Sequence, residues 1–167
     1  QKAKIHLKID TGMNRMGFSV DELPQVLERL DVLNVEVVGV LTHLADADNS
    51  ADDSYTKQQL ERFKEAVEMV RKAGFDPEWI HAGQSAGALK TDWDDLNMIR
   101  LGFALYGISP YEKGDPMFEK LNNLKPVMQL ESTLVGIRSL KKGDKVSYGC
   151  TFTADRDMTV GMVPVGY

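Results

Sequence analysis

The chain has 167 residues, 43% of them hydrophobic and 27% charged, which is typical of a soluble globular protein. The net charge of −5 and the lack of a basic stripe argue against a nucleic-acid partner, and no apolar run approaches membrane-spanning length. The single cysteine, Cys150, excludes an intrachain disulfide framework and fits a reducing cytoplasm. We therefore expect a cytoplasmic protein without a membrane partner. Because a strand pattern begins within the first few residues, we also expect a piece of a longer protein.

The first predicted element is a strand over residues 4–10, where apolar and polar side chains alternate. Its polar face carries Lys8, and in a barrel we expect that face to turn inward. A glycine-containing loop follows, and then a helix. Ser19 and Glu22 have the spacing of a capping box at the helix start, although Asp21 is an alternative cap.

Two further strands and a long helix follow. The valine-rich run 35–42 predicts a strand that is buried on both faces, as in a parallel sheet. An amphipathic pattern predicts a helix over residues 54–72, with Gly74 as its stop signal. Short apolar runs at 78–81 and 97–101 predict two more strands, each ending in a turn of small residues.

The alternation of strands with helices predicts an α/β fold. We count four strands where a closed parallel barrel needs eight, so the prediction is the second half of a (β/α)8 barrel. A small open α/β sheet that is complete in itself is the alternative.

The pattern changes after Pro110. Residues 111–123 are polar and predict a linker, whereas 127–134 and 159–165 have strand patterns. We therefore predict a barrel portion that binds a cofactor over residues 1–120 and the beginning of a mainly β domain over residues 121–167.

The turns after the last two predicted strands suggest an anion site. Small residues at 82–87, with Ser85 among them, let backbone N–H groups approach a phosphate. The second turn, at Gly102, follows Arg100, a cation inside an apolar run. Parallel barrels often hold phosphate at this place, after strands seven and eight. Ordinary turns and a simple ion pair are the alternative explanation.

Other polar residues at strand ends have two interpretations each. In a barrel Arg15 and His43 would converge with the anion site, but a surface arginine and a hydrogen-bonded histidine explain them equally well. His81 fits a core position, and Tyr148 fits a packing tyrosine. The three histidines lack ligand spacing, so we predict no metal site.

Six segments together resemble alanine racemase, in that family's order and spacing. They are HLKIDTGMNRMGF at 6–18, THLADAD at 42–48, HAGQSAG at 81–87, MIRLGFALYGISP at 98–110, KVSYGCTFTA at 145–154 and VPVGY at 163–167. The resemblance implies a barrel with a C-terminal β-domain, pyridoxal 5'-phosphate as cofactor, and interconversion of L-alanine and D-alanine. It also implies a homodimer and D-alanine supply for peptidoglycan precursors. A non-catalytic barrel protein that binds pyridoxal phosphate is the alternative.

The resemblance also implies a role for each matching residue. Ser85, Gly102 and Phe103 match the phosphate contacts, and Arg100 matches the arginine that faces the pyridine nitrogen. The remaining matches concern the substrate and the proton transfers: Tyr148 as a catalytic base, Arg15 as the arginine for the substrate carboxylate, His43 as a link between that tyrosine and Arg100, Lys8 as a possible carbamate, and Tyr167 at the substrate entry.

Two departures from the family pattern matter. Gln84 stands where the family usually has asparagine. The motif with the lysine that anchors the cofactor does not occur, and neither Lys2 nor Lys90 stands in a matching context. We therefore expect this chain by itself not to racemise alanine.

Overall fold

The computed structural model describes residues 2–166, which form two compact units divided between Val127 and Met128. We call them unit 1 and unit 2. Unit 1 contains β1 (Ala3–Asp10), β2 (Phe18–Ser19), α1 (Leu23–Asp31), β3 (Val35–Leu41), α2 (Ser54–Lys72), β4 (Trp79–His81) and α3 (Pro116–Glu119). Unit 2 contains β5 (Gly136–Leu140), β6 (Lys145–Val146), β7 (Phe152–Thr153) and β8 (Met158–Met162). Single 3₁₀ turns lie at Gly87–Leu89, Phe103–Tyr106 and Tyr148–Cys150.

Unit 1 is built on a four-stranded sheet in which every pairing is parallel. The strand order is β2-β1-β3-β4, and α2 makes the crossover between β3 and β4. Parallel strands with helical crossovers form the repeating unit of a barrel. The structure therefore confirms the predicted α/β class and the partial barrel.

The core of unit 1 lies between the sheet and α2. The helix buries an apolar stripe spaced three and four residues apart, in which Phe63, Val67 and Val70 are fully buried. Both predicted ends of this helix are confirmed. Gly74 adopts φ +90 just beyond it, a left-handed conformation that glycine adopts without strain.

The predicted strand over residues 97–101 is wrong. In this segment Asn97 N donates to Ile80 O and Arg100 N donates to Gly83 O, but the segment forms no ladder. The Asn97 side chain explains the difference: Oδ1 accepts from Ile80 N at 2.9 Å, and Nδ2 donates to Glu78 O at 2.7 Å. Because a side-chain amide takes the bonds that a strand backbone would make, regular pairing does not develop.

The predicted linker over residues 111–123 is also wrong. It contains α3, whose cap Asp115 accepts from Met117 N at 2.7 Å. Tyr111 is only 4% exposed, and its single hydroxyl hydrogen lies between two acceptors, Ala86 O at 3.0 Å and Ala47 O at 3.2 Å from the oxygen. The polar composition of this stretch gave no indication that Tyr111 is buried.

Unit 2 consists of two antiparallel pairs, β5 with β8 and β6 with β7. The expected strand over 127–134 is absent from the described residues, where this stretch is exposed and has no ladder partner. The expected strand over 159–165 corresponds to β8, which ends earlier, at Met162. The predicted domain boundary at 120/121 lies a few residues before the division between the two units and remains a proposal.

No helix in the described range, residues 2–166, has the length and apolar character that a bilayer crossing requires.

Candidate functional site

Arg100 is the centre of the candidate site in unit 1. Nη2 donates to the carbonyl oxygens of Thr42 at 2.7 Å and Ala82 at 3.1 Å. Nη1 donates to His81 Nδ1 at 2.6 Å, and His43 Nδ1 lies 3.5 Å from Nη2. The strand ends of β3 and β4 therefore hold the guanidinium in place.

The partners of Arg100 are all neutral acceptors. Among residues 2–166 it makes no ion pair with a carboxylate. Burial lowers its pKa, but a guanidinium stays protonated in proteins. A half-buried, uncompensated positive charge is costly, so its presence points to an external partner.

The contact between Arg100 and His81 continues to a second histidine, His6. His81 is 4% exposed, and its Nε2 lies 2.9 Å from His6 Nδ1 on β1. Burial, followed by the charges of Arg100 and His6, lowers the pKa of His81 to about 4. His81 is therefore neutral near pH 7, and Arg100, His81 and His6 form one continuous chain of contacts.

The two small-residue turns meet at Ser85. Its Oγ accepts from Gly102 N at 2.8 Å and from Ala104 N at 3.3 Å, so the predicted proximity is confirmed. The second donor is the amide of Ala104 rather than that of Phe103. A Cβ placed on Gly102 would meet only Ser85 Oγ, at 3.7 Å, which leaves open space beside the two amides. Backbone N–H groups next to a serine hydroxyl are suited to a phosphate.

Gln84 lies in the first of these turns. Its Nε2 donates to Leu44 O at 3.2 Å, while its Oε1 is buried without a hydrogen-bond partner in the described part of the chain. The same oxygen would lie 2.6 Å from a Cβ on Gly87. Glycine at position 87 therefore accommodates the longer side chain that departs from the family pattern.

The loop after β1 carries Arg15 and is organised by Asp10. The Asp10 carboxylate accepts from the backbone N–H groups of Gly12, Asn14 and Arg15 at 2.9–3.0 Å. Burial favours the neutral acid, but these bonds outweigh it and the pKa of Asp10 is lowered. The loop is thus fixed, whereas the side chain of Arg15 is exposed.

Lys8 lies on the same strand, with Nζ donating to Met16 O at 2.7 Å. Burial lowers the pKa of Lys8; Asp10 opposes this shift, and the positive charges of Arg15 and Arg100 add to it. Neighbouring positive charges would stabilise an anionic modification of this lysine, and the carbamate remains a proposal.

His43 follows β3, and its pKa is lowered by burial and then by the charges of Arg100, Arg15 and Lys8. Gln59 on α2 fixes the backbone at this point. Its Oε1 accepts from Ala45 N at 2.8 Å, and its Nε2 donates to His43 O at 3.1 Å.

Lys90, a few residues after the turn that holds Ser85, connects this part of the chain to the loop before α2. The Lys90 side chain is 4% exposed; its Nζ donates to Asn49 O at 2.5 Å and Asp53 Oδ1 at 2.7 Å. The same ammonium lies 5.8 Å from the ring centre of Tyr111. These contacts give Lys90 a structural role.

In unit 2, Tyr148 is 95% exposed and lies on a single 3₁₀ turn. Ser147 and Cys150 on either side of it have φ values of 60 and 50, which non-glycine residues rarely adopt. Strained backbone of this kind is concentrated at functional sites. Tyr167 lies outside the described residues.

Sequence reasoning missed His81 and Gln59 as parts of the site. Both carried a signal: His81 ends a buried strand next to the small-residue turn, and Gln59 interrupts the apolar stripe of α2 one turn before Phe63. A polar side chain at such a position needs a partner.

The fold and site define an α/β-barrel protein with a candidate anion-binding turn and a fixed cation at the strand ends. Residues 1–110 match the family model "Alanine racemase, N-terminal domain", and residues 127–167 match "Alanine racemase, C-terminal domain". The chain belongs to the alanine racemase family.

Individual relatives agree with this assignment. The chain is 40% identical to an alanine racemase of Lactobacillus acidophilus over 98% of its length, which is 43% of that protein. It is 37% identical to that of Treponema denticola, with 100% of this chain and 44% of the relative covered. The crystal structure of alanine racemase from Bacillus anthracis with bound L-Ala-P has a TM-score of 0.82 at 30% identity, with 100% and 43% covered. The chain therefore spans less than half the length of these relatives.

Proposed function

We propose that this chain supplies the cofactor-holding part of an enzyme that interconverts L-alanine and D-alanine with pyridoxal 5'-phosphate. The observation that carries the proposal is Arg100, a positive charge held only by neutral acceptors in the described residues. A ring nitrogen facing such a charge stays unprotonated.

The residues present fit the cofactor. Ser85 and the amides of Gly102, Phe103 and Ala104 would take the phosphate, and Arg100 would face the pyridine nitrogen. When bound, pyridoxal phosphate withdraws electrons from the substrate α-carbon and so makes its proton removable. By leaving the ring nitrogen unprotonated, Arg100 would limit this withdrawal, which would restrict side reactions.

The other candidates serve the substrate and the protons. We assign Arg15 to the substrate carboxylate, His43 to the hydrogen bonds between the base and Arg100, and Lys8 to a carbamate beside Arg15. Tyr148 would be one of two bases on opposite faces of the α-carbon, and Tyr167 would lie at the substrate entry. In the assembled enzyme the positive charge of Arg15 would favour the phenolate of Tyr148. The L-Ala-P in the Bacillus anthracis structure supports an alanine-sized substrate.

The proposal is tested in a protein that joins this chain to the remaining portion found in its relatives. With pyridoxal phosphate, we expect it to convert L-alanine to D-alanine, and we expect this chain by itself to show no conversion. Arg100→Gln should lower kcat by about 10²-fold or more. Arg138→Gln, which removes an exposed arginine of unit 2, is the matched control. Unchanged turnover in Arg100→Gln would contradict the assignment.

A mixing experiment tests the homodimer. Two inactive variants of the joined protein are combined, one Tyr148→Phe and the other altered at the anchoring lysine. If Tyr148 serves the partner subunit, mixed dimers regain one working site that has both groups intact. No recovery under conditions of demonstrated subunit exchange would show that Tyr148 serves its own chain.

A barrel protein that binds pyridoxal phosphate without turnover is the second candidate. Tyr148 argues against it, because a carrier needs no base on a separate unit. Cofactor binding without conversion in the joined protein would favour this candidate. A cytoplasmic location and a role in peptidoglycan precursor supply belong to the first proposal.

A further inference from the structure

The contact between His6 and His81 joins β1 to the arginine of the candidate site. Arg100 has only donors, so the nitrogen of His81 that receives its N–H, Nδ1, must carry a lone pair. The neutral ring then holds its hydrogen on Nε2, which lies 2.9 Å from His6 Nδ1. His6 Nδ1 must therefore be the acceptor of this hydrogen. Each hydrogen bond in this series therefore points away from Arg100.

The backbone makes room for this contact. His6 pairs with Gly39 on the neighbouring strand, immediately after a register shift between Ile5 and His6. A Cβ on Gly39 would overlap His6 Nδ1 and come within 2.8 Å of His6 Cγ. Gly39 does not have a positive φ, so backbone conformation does not require glycine there. The three atoms nearest to a Cβ at position 39 all belong to the ring of His6.

We propose that His6 is a positioning residue: it accepts the Nε2–H of His81 and thereby holds the ring whose Nδ1 supports Arg100, and Gly39 leaves the space in which it does so. The functional meaning of this role rests on the assignment of Arg100 under "Proposed function". The contact itself does not, and it can be tested without the cofactor.

The physical reason is the burial of His81. Its Nε2–H belongs to a residue that is only 4% exposed, and a buried donor without an acceptor is unfavourable. Without His6, rotation of the ring about its Cβ–Cγ bond would carry Nε2–H to another acceptor. The same rotation would withdraw Nδ1 from Arg100.

Nitrogen-15 NMR of the histidine rings tests this proposal directly. The chain contains only His6, His43 and His81, so single substitutions assign all the ring signals. In the unsubstituted chain we expect His81 to show one bare and one protonated nitrogen, with widely separated shifts. A His81 ring that carries its hydrogen on Nδ1 would overturn the proposal at once.

Two substitutions at position 6 form a matched pair. In His6→Asn the side-chain oxygen occupies a place equivalent to Nδ1, so an acceptor remains; His6→Leu has similar bulk and none. We expect His6→Asn to retain the separated His81 signals and His6→Leu to lose the separation. Equal His81 spectra in the two variants would overturn the proposal.

Gly39→Ala tests the same contact from the neighbouring strand. If His6→Leu does not fold, this variant decides whether His6 holds the His81 ring in place. It should displace His6 and reproduce the loss of separation, whereas in a His6→Ala background the added methyl group should change nothing further. An unchanged His81 spectrum in Gly39→Ala alone would overturn the proposal. Failure of cofactor binding with this hydrogen-bond series intact would instead count against the proposed function.

Discussion

The two units of this chain hold Arg100 and His81 on one side and Tyr148 on the other in opposite ways. In unit 1, Arg100 and His81 are fixed by hydrogen bonds to strands and to each other. In unit 2, Tyr148 is 95% exposed on a turn with two strained neighbours. Unit 1 thus holds its groups in place before any ligand arrives, which is the arrangement expected of a binding site. In unit 2, by contrast, the Tyr148 side chain is not held by packing.

Packing follows the same contrast. The buried apolar side chains of unit 1 form one connected cluster around β1, β3 and α2. In unit 2, Leu140 and Ala154 are the buried apolar residues of the described range. A segment of about forty residues buries too little surface for independent stability. We therefore expect substitutions in the two units to differ in their effect on folding.

The largest expected effect is in the core of unit 1. Phe63→Ala should lower the free energy of unfolding by about 3–5 kcal/mol, because a fully buried ring is lost and a cavity remains. Both tryptophans, Trp79 and Trp93, lie in unit 1, so denaturant titration followed by their fluorescence reports on this unit. Leu130→Ala in unit 2, where the side chain is 89% exposed, is the control and should change little. Similar losses for both variants would break the contrast.

Acid should weaken unit 1 through His81. Its pKa is about 4 in the folded chain, against about 6.5 when unfolded, so the unfolded state binds more protons between these values. The contribution of His81 is complete above about pH 6.5 and is lost as pH falls towards about 4. The loss is at most about 3 kcal/mol, and less where solvent screens the ring. Urea titrations at each pH give the free energy of unfolding. With falling pH it should decrease less steeply in His81→Asn than in the unsubstituted chain. An identical dependence on pH would refute this linkage.

The polar part of unit 1 gives the next effect. Gln59→Leu removes three hydrogen bonds that α2 makes to the strand ends and should cost about 2 kcal/mol. Its neighbour Gln58 is exposed on the same helix, so Gln58→Leu is a matched control with a change of less than about 0.5 kcal/mol. Tryptophan fluorescence during urea unfolding measures both variants. Equal values would mean that the buried amide contributes nothing.

The smallest effect on folding is expected at Tyr148. Tyr148→Phe should change the free energy of unfolding by less than about 0.5 kcal/mol, because the side chain is almost fully exposed. In the joined protein the same substitution should nonetheless abolish most turnover, since the phenol is the proposed base. Circular dichroism and an alanine conversion assay separate the two quantities. A clear loss of stability would show that the hydroxyl is a structural group after all.

Sequence patterns were most informative where a single element determines its own form. The amphipathic stripe and the basic last turn gave α2 its correct bounds, since those signals are local. The segment 97–101 was predicted as a strand because its apolar pattern hides the effect of the Asn97 side chain. Tyr111 escaped notice among polar neighbours, because its partners Ala47 and Ala86 are distant in the chain.

In the candidate site, too, some contacts could be predicted from the sequence and others could not. The proximity of Ser85 to Gly102 was expected from two successive strand ends of a parallel barrel, and it is observed although residues 97–101 form no strand. The contact of His81 with both Arg100 and His6 depends on β1, β4 and the irregular segment that carries Arg100. No spacing within the sequence encodes it, because register between strands is set by packing of the whole sheet.

Lys90 has a practical consequence for chemical labelling. Its ammonium is enclosed by Asn49, Asp53 and the ring of Tyr111, while other lysines of the chain, such as Lys72 and Lys141, extend into solvent. An amine-reactive reagent therefore modifies the exposed lysines first and reaches Lys90 only when the loop around it opens. The rate at which Lys90 is modified thus measures local opening of unit 1, with the exposed lysines as an internal standard.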